Sequence, residues 1–354
     1  MQTGKDILDR FLDNIREVLM YPFSAQERIY VVYLLTSAVF AYGVYVMARR
    51  RGEDSDGSFL KFLFPARVWR HPSAWLDLRY FFFHRITGHF LVMLMGGGAT
   101  VAVYRCITGV ENPVEIPVER ILPPLSEVGI SILFMVVALV VLDFIAFLCH
   151  YLQHKSAFLW QFHKVHHSAE VMHPVSNFRE HPVDNLLYIV MGGAGYGLIF
   201  GLATLLVGFT PSLPSLLGVP IFHLLFNVAG YNLRHSHIWL RWPGKWSMIF
   251  PSPAHHHVHH SYHPDHIDKN FAFALPFWDV VFRTYHMPDD NRDVKFGIGE
   301  GNADELTSCT RLYWVPVRDA FRVVLARLTG QRVSMSRPQP VSLRAPKETV
   351  HPAE

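Results

Sequence analysis

The chain has 354 residues, 50% of them hydrophobic and only 17% charged, against roughly 25% charged in an ordinary soluble domain; the shortfall points to a membrane. A net charge of +3 with no basic tract excludes a nucleic-acid footprint. Three scattered cysteines, Cys106, Cys149 and Cys309, exclude a disulfide framework and an iron–sulfur cluster.

Residues 1–20 predict an amphipathic helix lying on the membrane surface. Ile7, Leu8, Phe11, Leu12, Ile15, Val18 and Leu19 keep the helical period, with charges opposite. Ile29–Met47 is 19 residues without a charge, close to the ~20 that a bilayer core asks of a helix, and reads as a first span. Arg49-Arg50-Arg51, Lys61, Arg67 and Arg70 follow. By the positive-inside rule that end is cytosolic, which puts the N-terminus on the far side. Ile86–Tyr104 reads as a second span, with His84 and His89 as packing histidines rather than ligands. A Pro-rich connection (Pro113, Pro117, Pro123, Pro124) leads to a third span, Val128–Cys149.

The third span carries Asp143, an acid in an otherwise apolar helix and therefore a candidate for orienting a ligand imidazole, with a helix–helix hydrogen bond as the plainer reading. Residues 185–233 are 49 consecutive positions without Lys, Arg, Asp or Glu. Thr210-Pro211-Ser212-Leu213-Pro214 breaks that run, which reads as a hairpin of two spans. From residue 234 ordinary polarity returns and implies a cytosolic region, with a disordered polar tail after about Arg332. The expected architecture is all-α: a helical membrane bundle of about four to five spans, capped by a cytosolic helical region with a histidine-rich dimetal site. Three segments follow: 1–127 with the surface helix and two spans, 128–325 as the catalytic unit, and 326–354 as the tail.

Histidine is the anomaly. Of 22, 17 fall between His150 and His266. They form three boxes: His150-x-x-x-His154, His163-x-x-His166-His167 and His256-x-x-His259-His260. Positions i, i+3 and i+4 share a helical face, so each box would converge on one point. Eight imidazoles suit two metals with positions left open. His257 occupies the variable position of the third box and should point away, and His255 lies near enough to compete.

The order and spacing of these boxes resemble the fatty acid hydroxylase/sterol desaturase superfamily of membrane di-iron enzymes. The flanks are similar too: Arg179-Glu180-His181-Pro182 after the second box, Arg234-His235-Ser236 before the third, Ile267-Asp268-Lys269-Asn270-Phe271, and the run Trp278 to Tyr285. Ala272 and Arg283 stand where glycine is usual, and His173 where asparagine is common. The resemblance covers about Val128 to Tyr285, and less clearly to about Leu325.

It implies two iron ions, with zinc as a possible substitute, held by His150, His154, His163, His166, His167, His256, His259 and His260. His181 and His235 are additional ligands or support, and Asp143, Arg179, Asp268 and Asp279 are supporting residues. It also implies an O2-dependent hydroxylase or desaturase of a lipid: a fatty acyl chain, sterol, ether lipid or carotenoid. The active site would face the cytosol at a bacterial inner membrane or the endoplasmic reticulum. Without a haem motif, cysteine cluster or dinucleotide fingerprint, electrons must come from outside. A small haem protein or ferredoxin docking on residues 234–325 is expected, or a reduced pterin. A zinc-dependent membrane hydrolase and a histidine-rich metal transporter are the rival readings.

Overall fold

The computed structural model describes residues 2–52, 57–87, 89–110, 127–289, 294–299 and 303–331. The Pro-rich connection and the tail after Arg332 lie outside the described residues. In chain order the main helices are α1 (Gln2–Met20), α2 (Val31–Arg50), α3 (Pro72–Thr87), α4 (His89–Thr108), α5 (Glu127–Lys155), α6 (Ala157–His167) and α7 (Pro182–Val207). A two-stranded turn, β1 (Ser215–Leu216) and β2 (Val219–Pro220), then leads to α8 (Ile221–Val228), α9 (Pro253–His259) and α10 (Cys309–Leu328).

Among the described residues, α2, α5 and α7 are long and apolar enough to cross a bilayer. Rows of large apolar side chains stay exposed on them, such as Leu35 and Val39 on α2, Leu133 and Val137 on α5, and Leu198 and Leu202 on α7. Faces of this kind are the mark of an integral membrane protein. The expected second span falls on α4, which packs along α7. The side chain of His89 lies outside the described residues. His84 is satisfied by packing, with Nδ1 2.7 Å from the Tyr313 hydroxyl and Nε2 2.9 Å from Asn185 Nδ2.

One expectation of topology is corrected. The uncharged run 185–233 is not a pair of spans. Its first limb, α7, has 26 residues, but the return limb α8 has only eight, about 12 Å of helix. Proline and glycine at Pro211, Pro214, Gly218 and Gly230 use up the rest in turns and extended chain. Charge-free length alone carries no information about where a helix stops.

The chain ahead of α2 packs close to the histidine region. Arg28, just before α2, forms an ion pair with Glu180 at 3.1 Å, beside His181. Asn14 of α1 donates to the carbonyls of Arg85 and Ile86, and Val18 packs with Phe81 and Phe178.

The histidine-bearing elements are set by local signals. Ser156 breaks α5 from α6 and caps α6, accepting from the Leu159 N–H. His181 and Pro182 start α7, and Gly208, at φ 74°, ends it. Helix α6 is fixed from behind by Leu76, Tyr80, Val165, Leu312 and Val315, contributed by α3, α6 and α10. A buried pair, Lys164 Nζ to Asp319 Oδ2 at 2.7 Å, ties α6 to α10.

Candidate metal centre

Among the described residues, nine buried histidines gather into two groups. His150, His154, His163, His167 and His259 form one; His166, His235, His256 and His260 form the other. Within each group the nitrogens lie within 4.8 Å of one another, close to the span across a single ion with metal–nitrogen bonds of ~2.0–2.1 Å.

The boxes do not each converge on one point, and this corrects the expectation from spacing. In the second box His163 and His167 join the first group while His166 joins the second. In the third box His256 and His260 join the second group while His259 joins the first. The cause is helical geometry. Positions i and i+4 lie about 40° apart, whereas i+3 sits on the other flank, about 100° from i+4. An H-x-x-H-H box therefore contributes to both groups, and α6 and α9 cross-link them.

Ring orientation follows from what holds the outer nitrogen. His150 Nδ1 donates to the Phe271 carbonyl at 2.8 Å, His259 Nδ1 to Lys269 O at 2.8 Å, and His166 Nδ1 to Arg179 O at 3.3 Å. A carbonyl only accepts, so Nδ1 carries the proton and Nε2 keeps its lone pair. His163 Nδ1 donates to Asp184 Oδ2 at 3.0 Å, and His154 Nδ1 lies 3.5 Å from Asp268 Oδ1. His235 Nδ1 donates to Ser176 Oγ at 3.0 Å, whose own proton goes to the His173 carbonyl. The Nε2 atoms face inward: His256 to His235 at 2.8 Å, His260 to His256 at 3.0 Å, and His259 to His167 at 3.1 Å. Nε2 of His154 and of His163 are buried without a partner.

Nε2 atoms crowded 2.8–3.1 Å from one another, together with buried nitrogens that have no partner, are what a cation accepting their lone pairs would satisfy. The donor set fits metal ions. Charge agrees: burial holds His166 down to about 4, and it keeps His163, His167, His235, His256, His259 and His260 well below the usual imidazole range. The rings are thus neutral and ready to ligate.

Of the other expected residues, His181 joins neither group. Its Nδ1 accepts from the Val183 N–H and its Nε2 donates to Tyr313 O, so both nitrogens are spent as it caps α7. His255 is held by Ser252 and Tyr285, His257 points away to the Leu233 carbonyl, and His173 lies 3.0 Å from Asp77. Asp143 touches no imidazole. It accepts from the N–H groups of Ala274 and Leu275 and from Trp278 Nε1, pinning the loop to α5. Asp279 accepts from the N–H groups of Phe271 and Ala272 and so fixes the carbonyl that holds His150. Arg179 is buried against Asp77, Ser73 and Ser168. Arg283 keeps a left-handed φ of 59°, so the shape that usually calls for glycine persists without it.

Sequence reasoning missed Asp184, which holds His163 and accepts from Gln153. The available signal was an acid in the first turn of a helix opened by His181-Pro182.

Known proteins resemble this chain over its histidine-rich part. Residues 135–284 match the family model described as fatty acid hydroxylase. Over those residues the chain is similar to the fatty acid hydroxylase/sterol desaturase superfamily. Alkylglycerol monooxygenase of Homo sapiens is 30% identical over 156 residues, 44% of this chain and 31% of the relative. Ornithine lipid hydroxylase OlsE of Rhizobium tropici is 27% identical over 166 residues, 46% of this chain and 45% of the relative. Sphinganine C4-monooxygenase 1 of Arabidopsis thaliana is 30% identical over 159 residues, 43% of this chain and 54% of the relative. The chain spans less than half the length of the first curated relatives it matches. No solved structure matches.

Two narrow clefts flank the histidines, each of about 30 Å³. One is bordered by Trp160, Tyr262, Asp268 and Ile298. The other is bordered by Arg28, Glu180, Tyr188, Tyr231 and Arg234 together with His150, His166, His235 and His256.

Proposed function

We propose that this chain is a member of that superfamily and an O2-dependent di-iron membrane oxygenase that hydroxylates or desaturates a lipid, with electrons from an external donor. One observation carries the reading: nine buried neutral imidazoles in two groups, each compact enough for one ion. His150, His154, His163, His167 and His259 would hold one iron, and His166, His235, His256 and His260 the other. A bound iron pair would supply the dioxygen chemistry that breaking an unactivated C–H bond requires, which no side chain offers.

The chain's own residues do the rest. Phe271, Lys269 and Arg179 carbonyls with Asp184, Asp268 and Ser176 fix the rings, and burial keeps water out of the nitrogen cluster. The relatives' names support a lipid substrate: alkylglycerol, ornithine lipid and sphinganine are what those proteins act on. A cytosolic site is supported by the basic segment around Arg49–Arg70. Its Phe62 carbonyl accepts from His237 Nε2 at 2.8 Å, two residues beyond His235. A haem protein, a ferredoxin or a reduced pterin would deliver electrons to residues 234–325 on that side.

Metal analysis of purified protein tests the reading, with two irons per chain and lipid-dependent oxygen uptake expected. Lipid profiles of cells carrying wild type or His256→Ala should differ in one oxidised species. One zinc per chain without oxygen uptake would replace the proposal with the hydrolase reading.

A further inference from the structure

The outer nitrogens of His150, His259, His163 and His154, all in the first group, meet Phe271, Lys269, Asp184 and Asp268, from α7 and the loop after α9. The second group is held differently. His166 Nδ1 donates to the Arg179 carbonyl at 3.3 Å, and His235 Nδ1 to Ser176 Oγ at 3.0 Å. Ser176 Oγ is itself aimed by the His173 carbonyl, to which it donates at 2.8 Å. Arg179 and His173 thus stand behind the two rings, and one carboxylate holds both of their side chains.

That carboxylate is Asp77 of α3. Its Oδ1 accepts from Arg179 Nε, and its Oδ2 accepts from His173 Nε2 at 3.0 Å. All three side chains are buried. A buried carboxylate is costly unless its oxygens are paired, and here both are. The remaining guanidinium nitrogens donate to the carbonyl and hydroxyl of Ser73, also on α3, at 2.9 Å each, and to the Ser168 carbonyl at 3.1 Å. The Arg179 side chain has no freedom left, and its backbone carbonyl is fixed with it. Asp77 lies ahead of residues 135–284, over which the chain matches the family model.

We propose that Asp77 is a positioning residue for the second group alone: a carboxylate on a helix outside the histidine-bearing segments that sets the ring orientation of His166 and His235. The inference rests on the reading that each group holds one ion. It adds that the two ions are supported independently, one through Asp184 and Asp268 and the other through Asp77. The two sites then differ in affinity, and loss of one support does not empty both. Asparagine at 77 keeps the shape but replaces one accepting oxygen with an NH2 that only donates, so it meets Arg179 Nε or His173 Nε2 donor to donor. One of the two carbonyls behind the rings then loses its anchor.

Cobalt(II) titration of the full-length, metal-free protein in detergent reads both ions by visible absorption, with chelator competition giving the affinities and no turnover required. Wild type should take up two ions. Asp77→Asn should weaken one of them by about 10–100-fold, the range for a partner that orients a metal-bound histidine, and leave the other within about twofold. Asp184→Asn should weaken the other ion, so that the spectra of the two one-ion forms sum to that of wild type. His173→Asn, whose side chain ends one bond short of the Asp77 oxygen, should weaken the same ion as Asp77→Asn, by less. Parallel loss of both ions in a folded Asp77→Asn overturns the proposal. So does wild-type affinity for both ions, or Asp77→Asn and Asp184→Asn acting on the same ion. If Asp77→Asn does not fold, His173→Asn decides, and an unchanged affinity or a parallel loss of both ions overturns the proposal. Wild type that binds fewer than two ions would sink the two-metal reading itself, and this inference with it.

Discussion

Asp143 and Asp184 are both buried acids on long apolar helices, and their hydrogen-bond partners separate their roles. Asp184 accepts from His163 Nδ1 and from Gln153, so it sets the tautomer of a histidine in the first group. Asp143 accepts only from the loop at Ala274–Trp278. Asp184→Asn should weaken iron binding by about 10–100-fold while the protein still folds, read by competition against a chelator. Asp143→Asn should cost roughly 1–3 kcal/mol of stability and leave the metal affinity of the folded protein nearly unchanged. If chelator competition moved for Asp143→Asn and not for Asp184→Asn, the assignment of ring support would be reversed.

Among the elements, α7 explains why a helix in this bundle carries so many glycines. A Cβ on Gly197 would meet the Thr100 carbonyl oxygen at 2.5 Å, so the α4 backbone occupies that space. At Gly195 a Cβ would meet Ile145 Cδ1, the movable tip of a side chain, and at Gly192 it would meet nothing within 4 Å. Gly197→Ala should therefore destabilise by about 1–3 kcal/mol, Gly195→Ala by less, and Gly192→Ala should be neutral or slightly stabilising through helix propensity. Thermal unfolding in detergent checks the order, and equal losses at 192 and 197 would refute the close contact of α4 with α7.

For the whole molecule, the buried neutral histidines make stability depend on pH. Burial pushes His181, His255 and His257, none of them in the two groups, down to about 4, whereas the unfolded chain titrates near 6.5. Between those values the unfolded state binds more protons, so stability rises with pH across the window and is lost as pH falls through it. The unfolding midpoint should fall steeply from about pH 6.5 towards 4, and bound metal should be released in the same range as protons compete for the imidazoles. A midpoint constant from pH 7 to 4.5 would show that these rings are not neutral and buried.

The sequence by itself determined the helical class, the membrane character and eight of the nine gathered histidines, because hydropathy and H-x-x-H-H spacing are local and periodic. It also singled out His235, leaving its role open, and it held His181 to be an equal candidate. Only the tertiary structure divides each box between two groups, spends both nitrogens of His181 on α7, and brings Asp184 to His163. The same holds for the eight-residue return limb α8 and for Arg28 reaching Glu180 across 152 positions. Each of these depends on which backbone or side-chain group arrives from a distant segment, and no local period or charge count encodes that arrival.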